Sequence, residues 1–291
     1  MPTVSTPGPT SCCGAACSPR RRTARRPPIT DAPAPCQDEP HPRRRTGTTV
    51  DSLVDKIAVV TGASSGIGRS YARALADADA NVVLVGRNAE RLESVAAGLP
   101  TETLTLAGDV ASAEFDHDVI AATIERFGRI DILLSNAGLY VPGDFAEADL
   151  GAVRELLSVN VFGAMAIVRE ALPHMLAAGS GDILMTSSVS GHQAIHWEPV
   201  YSASKHAIQS FTHGVRRQLV GTGVRLGEIA PGVVLNELWG IDEEADDSTP
   251  RLEDATGIRS DDVAEAVLFM LTRPRHVNIR DLVILPTSQQ I

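Results

Sequence analysis

Cysteine is missing from everything after residue 36: Cys12, Cys13, Cys17 and Cys36 are the only four in 291 residues. The remainder therefore has no disulfide framework to hold it. Nor does any histidine or second cysteine pair sit at ligand spacing from Cys12, Cys13 and Cys17, so no metal site is expected. Aromatic residues are only 4% of the chain, while Ala, Val and Leu are abundant, which suits helices packed on a buried parallel sheet. A positive excess is lacking too. The formal net charge of −10 argues against a nucleic-acid surface. No apolar run reads as long enough to span a bilayer. The basic start lacks the apolar segment that follows in a secretory signal. Cytoplasmic localisation, with neither nucleic acid nor membrane as partner, is the expectation.

Residues 1–50 hold ten of the 18 prolines and eight of the 26 basic residues, all eight being arginine, against three of the 36 acidic ones. Without hydrophobic periodicity, such a stretch cannot bury enough surface to offset its ordering entropy, so a disordered Pro/Arg-rich tail is predicted over 1–50. After Met1 the next methionine is Met165, and Val50 precedes the first structured segment. The tail therefore also reads as a gene-model extension, with Val50 as a non-methionine start.

With 43% hydrophobic residues, the chain can bury one sizeable core. From Asp55 onward, short β-branched runs alternate with helical patterns. Strands are predicted near 57–61, 82–86, 103–107, 131–135, 181–187, 224–230 and 281–285, and helices near 66–78, 88–98, 112–127, 149–178, 200–221 and 260–272. Residues 51–291 are read as one α/β domain, a doubly wound (Rossmann) parallel seven-stranded sheet with helices on both faces.

The chemistry centres on Tyr201-Ser202-Ala203-Ser204-Lys205. Residues four apart share a helix face, so the Tyr201 hydroxyl and the Lys205 ammonium can enter one cleft. A nearby cation favours the phenolate and is expected to bring the Tyr201 pKa down toward working pH. Upstream, Thr61-Gly62-Ala63-Ser64-Ser65-Gly66-Ile67-Gly68 joins the first strand to the first helix. Glycines there let the backbone approach a pyrophosphate, and the helix N-terminus offers it free N–H groups.

At the end of the second strand a carboxylate would accept from the ribose hydroxyls of NAD, but Val85-Gly86-Arg87-Asn88 contains none. An unopposed Arg87 guanidinium suits a 2′-phosphate instead, with Ser64 adding a hydroxyl, so NADP is predicted over NAD. Asp109-Val110 can meet the adenine amino group, or Asp109 can simply cap a helix. In Asn136-Ala137-Gly138, small residues let the backbone lie along a cofactor. Asn160, inside an otherwise apolar helix, is either a kink residue or part of a proton path, since a buried Asn needs partners. Ser188 can donate to a substrate oxygen or cap a turn.

Together these residues resemble the classical short-chain dehydrogenase/reductase family. The match covers about residues 55–286 and rests on Thr61-Gly62-x-x-x-Gly66-x-Gly68, Asn136-Ala137-Gly138, Asn160, Ser188, Tyr201-x-x-x-Lys205 and Pro231-Gly232. The resemblance implies that Tyr201 is the acid/base and that Ser188 orients the substrate oxygen. It also implies that Lys205 binds the nicotinamide ribose and lowers the Tyr201 pKa, and that Asn160 holds a water joining Lys205 to solvent. The implied cofactor contacts include Ser65, Ile67, Pro231, Gly232 and Val234. Asn236 departs from the family pattern, which usually has Thr there beside the carboxamide.

Trp197-Glu198-Pro199-Val200-Tyr201, Arg216-Arg217-Gln218, Val267-Leu268-Phe269-Met270 and Arg280-Asp281-Leu282-Val283-Ile284-Leu285-Pro286 are similar to the ribitol 2-dehydrogenase branch. That implies a small neutral secondary alcohol, probed first as a polyol, with a general NADPH-dependent ketone or 3-oxo reductase as the alternative. A non-catalytic NADP-binding sensor is the alternative of another class, disfavoured by the intact Ser188, Tyr201 and Lys205. Between Asn236 and Asp254 stand eight acidic residues against Arg251 alone; in the family this segment forms the lid, so anionic ligands should be disfavoured. His192, His196 and Trp197 are candidate pocket residues. The resemblance also implies a homo-oligomer, dimer or tetramer, joined through the long helices near 149–178 and 200–221.

Overall fold

The computed structural model describes residues 51–241 and 249–290. The tail read as disordered, 1–50, lies outside the described residues, as does most of the acidic run after Ile241.

Unbroken apolar runs become fully buried strands. β1 (Ile57–Thr61), β2 (Asn81–Gly86), β4 (Ile132–Ser135), β5 (Gly181–Thr186) and β6 (Val224–Pro231) are almost wholly buried, whereas β3 (Thr103–Ala107) and β7 (Asp281–Ile284) are half-buried at the edges. All seven pair in parallel, in the order β3-β2-β1-β4-β5-β6-β7.

Side chains alternate across the sheet and divide the core in two. Ala58, Val60, Leu84 and Leu134 meet α1 (Gly66–Asp77) and α8 (Ser260–Leu271) through Tyr71, Leu75, Val263 and Val267. Val59, Val83, Leu133 and Ile183 meet α3 (Ala113–Phe127), α5 (Ala164–Ala178) and α6 (Pro199–Gln218) through Val119, Ile167, Met175 and Ile208. Strand order reverses between β1 and β4, and ligands of such sheets bind outside the strands' C-terminal ends at that reversal. The expected doubly wound fold is therefore found. A short helix α7 (Thr249–Glu253) was not foreseen.

The helix predicted over 149–178 spans Leu150–Ala178, but it is not uniform. α4 (Leu150–Leu157) and α5 are joined by a π-helical turn, Ser158–Gly163, which contains Asn160. A Cβ on Gly163 would collide with the Val110 carbonyl, so only glycine lets this turn close on the neighbouring loop. By length and hydropathy alone this helix could cross a bilayer, contrary to the sequence reading. Ile167, Val168, Ala171 and Met175, however, bury one face of it in the second core.

Candidate active site

A cleft of about 460 Å³ opens at the strand reversal, within the usual size of small-molecule sites. Its floor begins where β1 ends. Gly62 and Gly66 have φ of +69° and +48°, a left-handed geometry that L side chains rarely adopt, and a Cβ on Gly62 would come within 2.9 Å of Ala137 Cα. Thr61 Oγ1 accepts from the N–H groups of Asn136 at 2.9 Å and Ala137 at 3.0 Å, which lays Asn136-Ala137-Gly138 along the cleft. Ser65 precedes α1 without capping it, and the first turn has no acidic residue. The N–H groups at Gly66 and Ile67 are thus left for an anion. Gly68 lies behind the wall: a Cβ there would strike the Gly62 carbonyl, so its part is to bring α1 against the turn.

Arg87 lines the far end with Ser64, Asp109, Val110 and Arg91, the last of which sequence reasoning missed. Asn88 caps α2 (Ala89–Ala97) by accepting from Arg91 N–H at 2.9 Å, and this cap fixes the backbone beside both arginines. Arg87 is not unopposed, as the sequence suggested. Its Nη1 lies 3.4 Å from Glu155 Oε1, but both groups are exposed, and such a pair contributes only about 0–1 kcal/mol. Asp109 accepts from Ala111 N–H at 2.9 Å, while Ser112 is the actual cap of α3. Arg69 is buried, with its Nη2 3.2 Å from Glu237 Oε1.

At the opposite end Ser188, Tyr201 and Lys205 meet, with Pro231, Gly232, Val234 and Asn236 closing the wall. Pro199 starts α6, its fixed φ suiting a first helical position. Tyr201 and Lys205, about one turn apart on this helix, face the same cleft. Lys205 Nζ donates to Thr186 O at 2.8 Å and stands 5.5 Å from the Tyr201 ring centre. Asn236 Oδ1 accepts from Leu238 N–H at 3.0 Å, so this departure from the pattern turns the chain behind β6.

Asn160 does not line the cleft. Its Oδ1 accepts from Leu139 N–H at 2.7 Å, and its Nδ2 donates to Leu139 O at 2.9 Å and to Ser204 Oγ at 3.3 Å. The side chain is thereby engaged in pinning the β4 loop to α6. Of the candidate pocket residues His192, His196 and Trp197, the last reaches the cleft. His196 stands edge-on to Trp197 with ring centres 4.6 Å apart, and His192 turns toward Gln209. Sequence reasoning also gave no role to Glu198 or Trp239, nor to Gln289, whose Oε1 accepts from Val233 N–H at 3.0 Å. Glu198, three residues before Tyr201, had a local signal; Gln289 had none.

The model for short chain dehydrogenases matches residues 56–246. The chain belongs to the short chain dehydrogenase family. An uncharacterized oxidoreductase of Staphylococcus saprophyticus is 37% identical over 243 residues, 80% of this chain and 98% of its own. Among solved structures, a closed serine dehydrogenase complexed with NADP+ has a TM-score of 0.74 at 29% identity, covering 81% of this chain and 96% of that one. L-Sorbose reductase from Gluconobacter frateurii, complexed with NADPH and L-sorbose, has a TM-score of 0.72 at 26% identity, covering 80% and 96%. The protein is an oxidoreductase of alcohols and carbonyls.

In this dehydrogenase the Tyr201 phenol does not sit low, as the motif suggested. Burial raises its pKa, the Glu198 carboxylate raises it further, and the Ser188 hydroxyl opposes both. Burial also brings Lys205 down to about 8, against the pull of Glu228. A polar stripe continues along α6 from Lys205 to Gln209 and His213, over the fully buried Glu228 of β6. His192 Nε2 lies 3.6 Å from Glu228, and His213 Nε2 lies 2.7 Å from Asp281, which Arg280 also holds. Although His213, Glu228 and Asp281 offer donor atoms within 4.8 Å of one another, Asp281 is already bonded to His213 and Arg280.

Two buried acids give this dehydrogenase an unusual pH dependence. Glu228 is pushed up to about 7 by burial and then by Asp281, and Asp116 to about 7 by burial and then by Glu170 and Asp109. The unfolded chain releases these protons near ordinary carboxyl values, whereas the folded chain keeps them until about pH 7. The unfolded state therefore binds fewer protons in between, and stability falls as pH rises through that window. Chemical denaturation at about pH 5 and about pH 8 should show a loss of about 2.5 kcal/mol from Glu228. Glu228→Gln should remove that share of the slope; an unchanged slope would show that Glu228 ionises as freely folded as unfolded.

Proposed function

We propose that this dehydrogenase moves hydride between NADP(H) and a small neutral secondary alcohol or its ketone, with a polyol such as ribitol as the favoured class. The observation that carries the reading is the cleft's polarity. Ser188, Tyr201 and Lys205 gather at one end, and at the other β2 ends in Gly86-Arg87 rather than in a carboxylate. The NADP bound to serine dehydrogenase and the NADPH and L-sorbose bound to L-sorbose reductase support it.

The cofactor, when bound, gives or takes the hydride. The glycine turn and the α1 N-terminus would hold its pyrophosphate, and Arg87, Arg91 and Ser64 its 2′-phosphate. Asp109 and Val110 would border the adenine. Lys205 would hold the nicotinamide ribose, with Asn136, Ala137 and Gly138 along one side and Pro231, Gly232 and Val234 along the other. Tyr201 gives its proton to the substrate oxygen in reduction and takes it back in oxidation, while Ser188 orients that oxygen. Glu198 and Glu237 on the wall disfavour phosphorylated or carboxylated ligands.

Leu157, Phe162 and Leu176 stand exposed along the Leu150–Ala178 helix, which supports a homo-oligomer joined through it. Trp197, Leu238 and Trp239 at the mouth favour the second reading, a broader ketone reductase. Initial rates at the reduced-nicotinamide absorbance band test the proposal, using free polyols and simple ketones with NADP(H) and NAD(H) in parallel. Turnover of ribitol or a close polyol with NADP is expected. Ketone reduction without polyol oxidation selects the second reading, and faster rates with NAD overturn the cofactor assignment.

A further inference from the structure

Glu198 is the buried carboxylate that lines the cleft beside Tyr201. It is 3% exposed, precedes α6 and makes no capping bond to that helix. Its Oε2 accepts from the Tyr140 hydroxyl at 2.8 Å and its Oε1 from the Ser190 hydroxyl. Both described partners are thus neutral. An ionised carboxyl has about four acceptor positions, and burying its charge is costly unless further donors complete the set. The missing donor can come from the cleft, whose wall Glu198 forms with Tyr201. Tyr140 links the two residues: its hydroxyl binds Glu198 while its ring stands edge-on to Tyr201, with centres 5.1 Å apart. The Trp239 ring lies 5.2 Å from Tyr140, giving the space an aromatic side that a cation would also find favourable.

We propose that Glu198 is the specificity-determining group that accepts a hydrogen bond from a hydroxyl or ammonium on the carbon next to the one oxidised. The inference rests on the dehydrogenase reading above and narrows its substrate class to vicinal diols and vicinal amino alcohols. A lone secondary alcohol leaves Glu198 short of a donor, and a neighbouring carboxylate is repelled.

The test uses the full chain with NADP and three alcohols of one carbon skeleton: 1,2-propanediol, 1-amino-2-propanol and 2-propanol. For at least one donor-bearing alcohol, kcat/KM should exceed that of 2-propanol by about tenfold or more, the size of a charged hydrogen bond. In Glu198→Gln that ratio should fall about tenfold, chiefly through KM. Whichever of the diol and the amino alcohol is preferred identifies the donor.

Both tryptophans of the chain, Trp197 and Trp239, line this cleft, so their fluorescence gives a readout apart from turnover. Hydroxyacetone should bind more tightly than acetone in the wild type and lose that advantage in Glu198→Gln. If that variant fails to bind NADPH, Tyr140→Phe replaces it: removing one neutral donor frees a carboxylate lone pair, and the donor-bearing ratio should rise. Equal turnover of all three alcohols, or a ratio unmoved in the variant used, overturns the inference and leaves the dehydrogenase reading standing. Failure of every secondary alcohol and ketone overturns both.

Discussion

Tyr201→Phe should lower kcat about a thousandfold in either direction, in keeping with the loss of a positioned general acid, while the cofactor dissociation constant stays within about twofold. The substitution removes one hydroxyl and keeps the ring that stands edge-on to Tyr140. Lys205 keeps its bond to Thr186 O, so the end proposed to hold the ribose is undisturbed. Steady-state rates with NADPH fluorescence titration as control check the result. A loss below about tenfold would move the proton step elsewhere, with Tyr140, the other hydroxyl-bearing ring at that end, as the next group to replace. The pH profile gives a second reading. Because burial and Glu198 hold the Tyr201 proton on, ketone reduction should be flat through neutrality, whereas alcohol oxidation, which needs the deprotonated phenol, should climb with pH.

Arg87→Ala should cut the preference for NADP over NAD about fiftyfold, in line with the worth of charged hydrogen bonds. Most of the loss should fall on the KM for NADP, since the residue stands far from Tyr201 along the cleft. Glu155 competes for the same guanidinium from 3.4 Å, but both groups are exposed, and a phosphate dianion with two donors facing it is the stronger partner. Arg91 at the same wall should leave a residual preference that the double variant removes. The ratio of kcat/KM values for the two cofactors decides it, and an unchanged ratio would put 2′-phosphate recognition on other residues.

The sheet was legible because its central strands are buried on both faces, and such strands must be unbroken apolar runs like Ile57–Val60 or Val82–Val85. The glycine turn and the Tyr201–Lys205 pair were legible because local geometry demands them: two left-handed glycines and one helix turn. What escaped depends on distant partners. Asn160 finds its acceptor at Leu139, 21 residues away, and the π turn closes because Gly163 meets the Val110 loop. Both are invisible to periodicity within one segment. The Tyr201 pKa was misjudged because the motif displays one charge, Lys205, while burial and the Glu198 carboxylate set the balance. Glu198 itself looked like a flanking residue until the fold closed Tyr140 and Ser190 over it.

The π turn also fixes how this chain can be lengthened or shortened. Each residue advances a helix by about 100°, and the wider turn at Ser158–Gly163 holds one residue more than an α-helical stretch would. Deleting one residue within that turn would restore regular bonding and keep the phase beyond it, whereas deleting one between Ala164 and Ile167 would rotate the rest of α5 by about 100°. Ala171 and Met175 would then swing off the sheet. Along Leu150–Ala178 the π turn is thus the one place where a residue can be lost at constant phase; in the regular turns on either side the count is set by the apolar face that must meet the sheet.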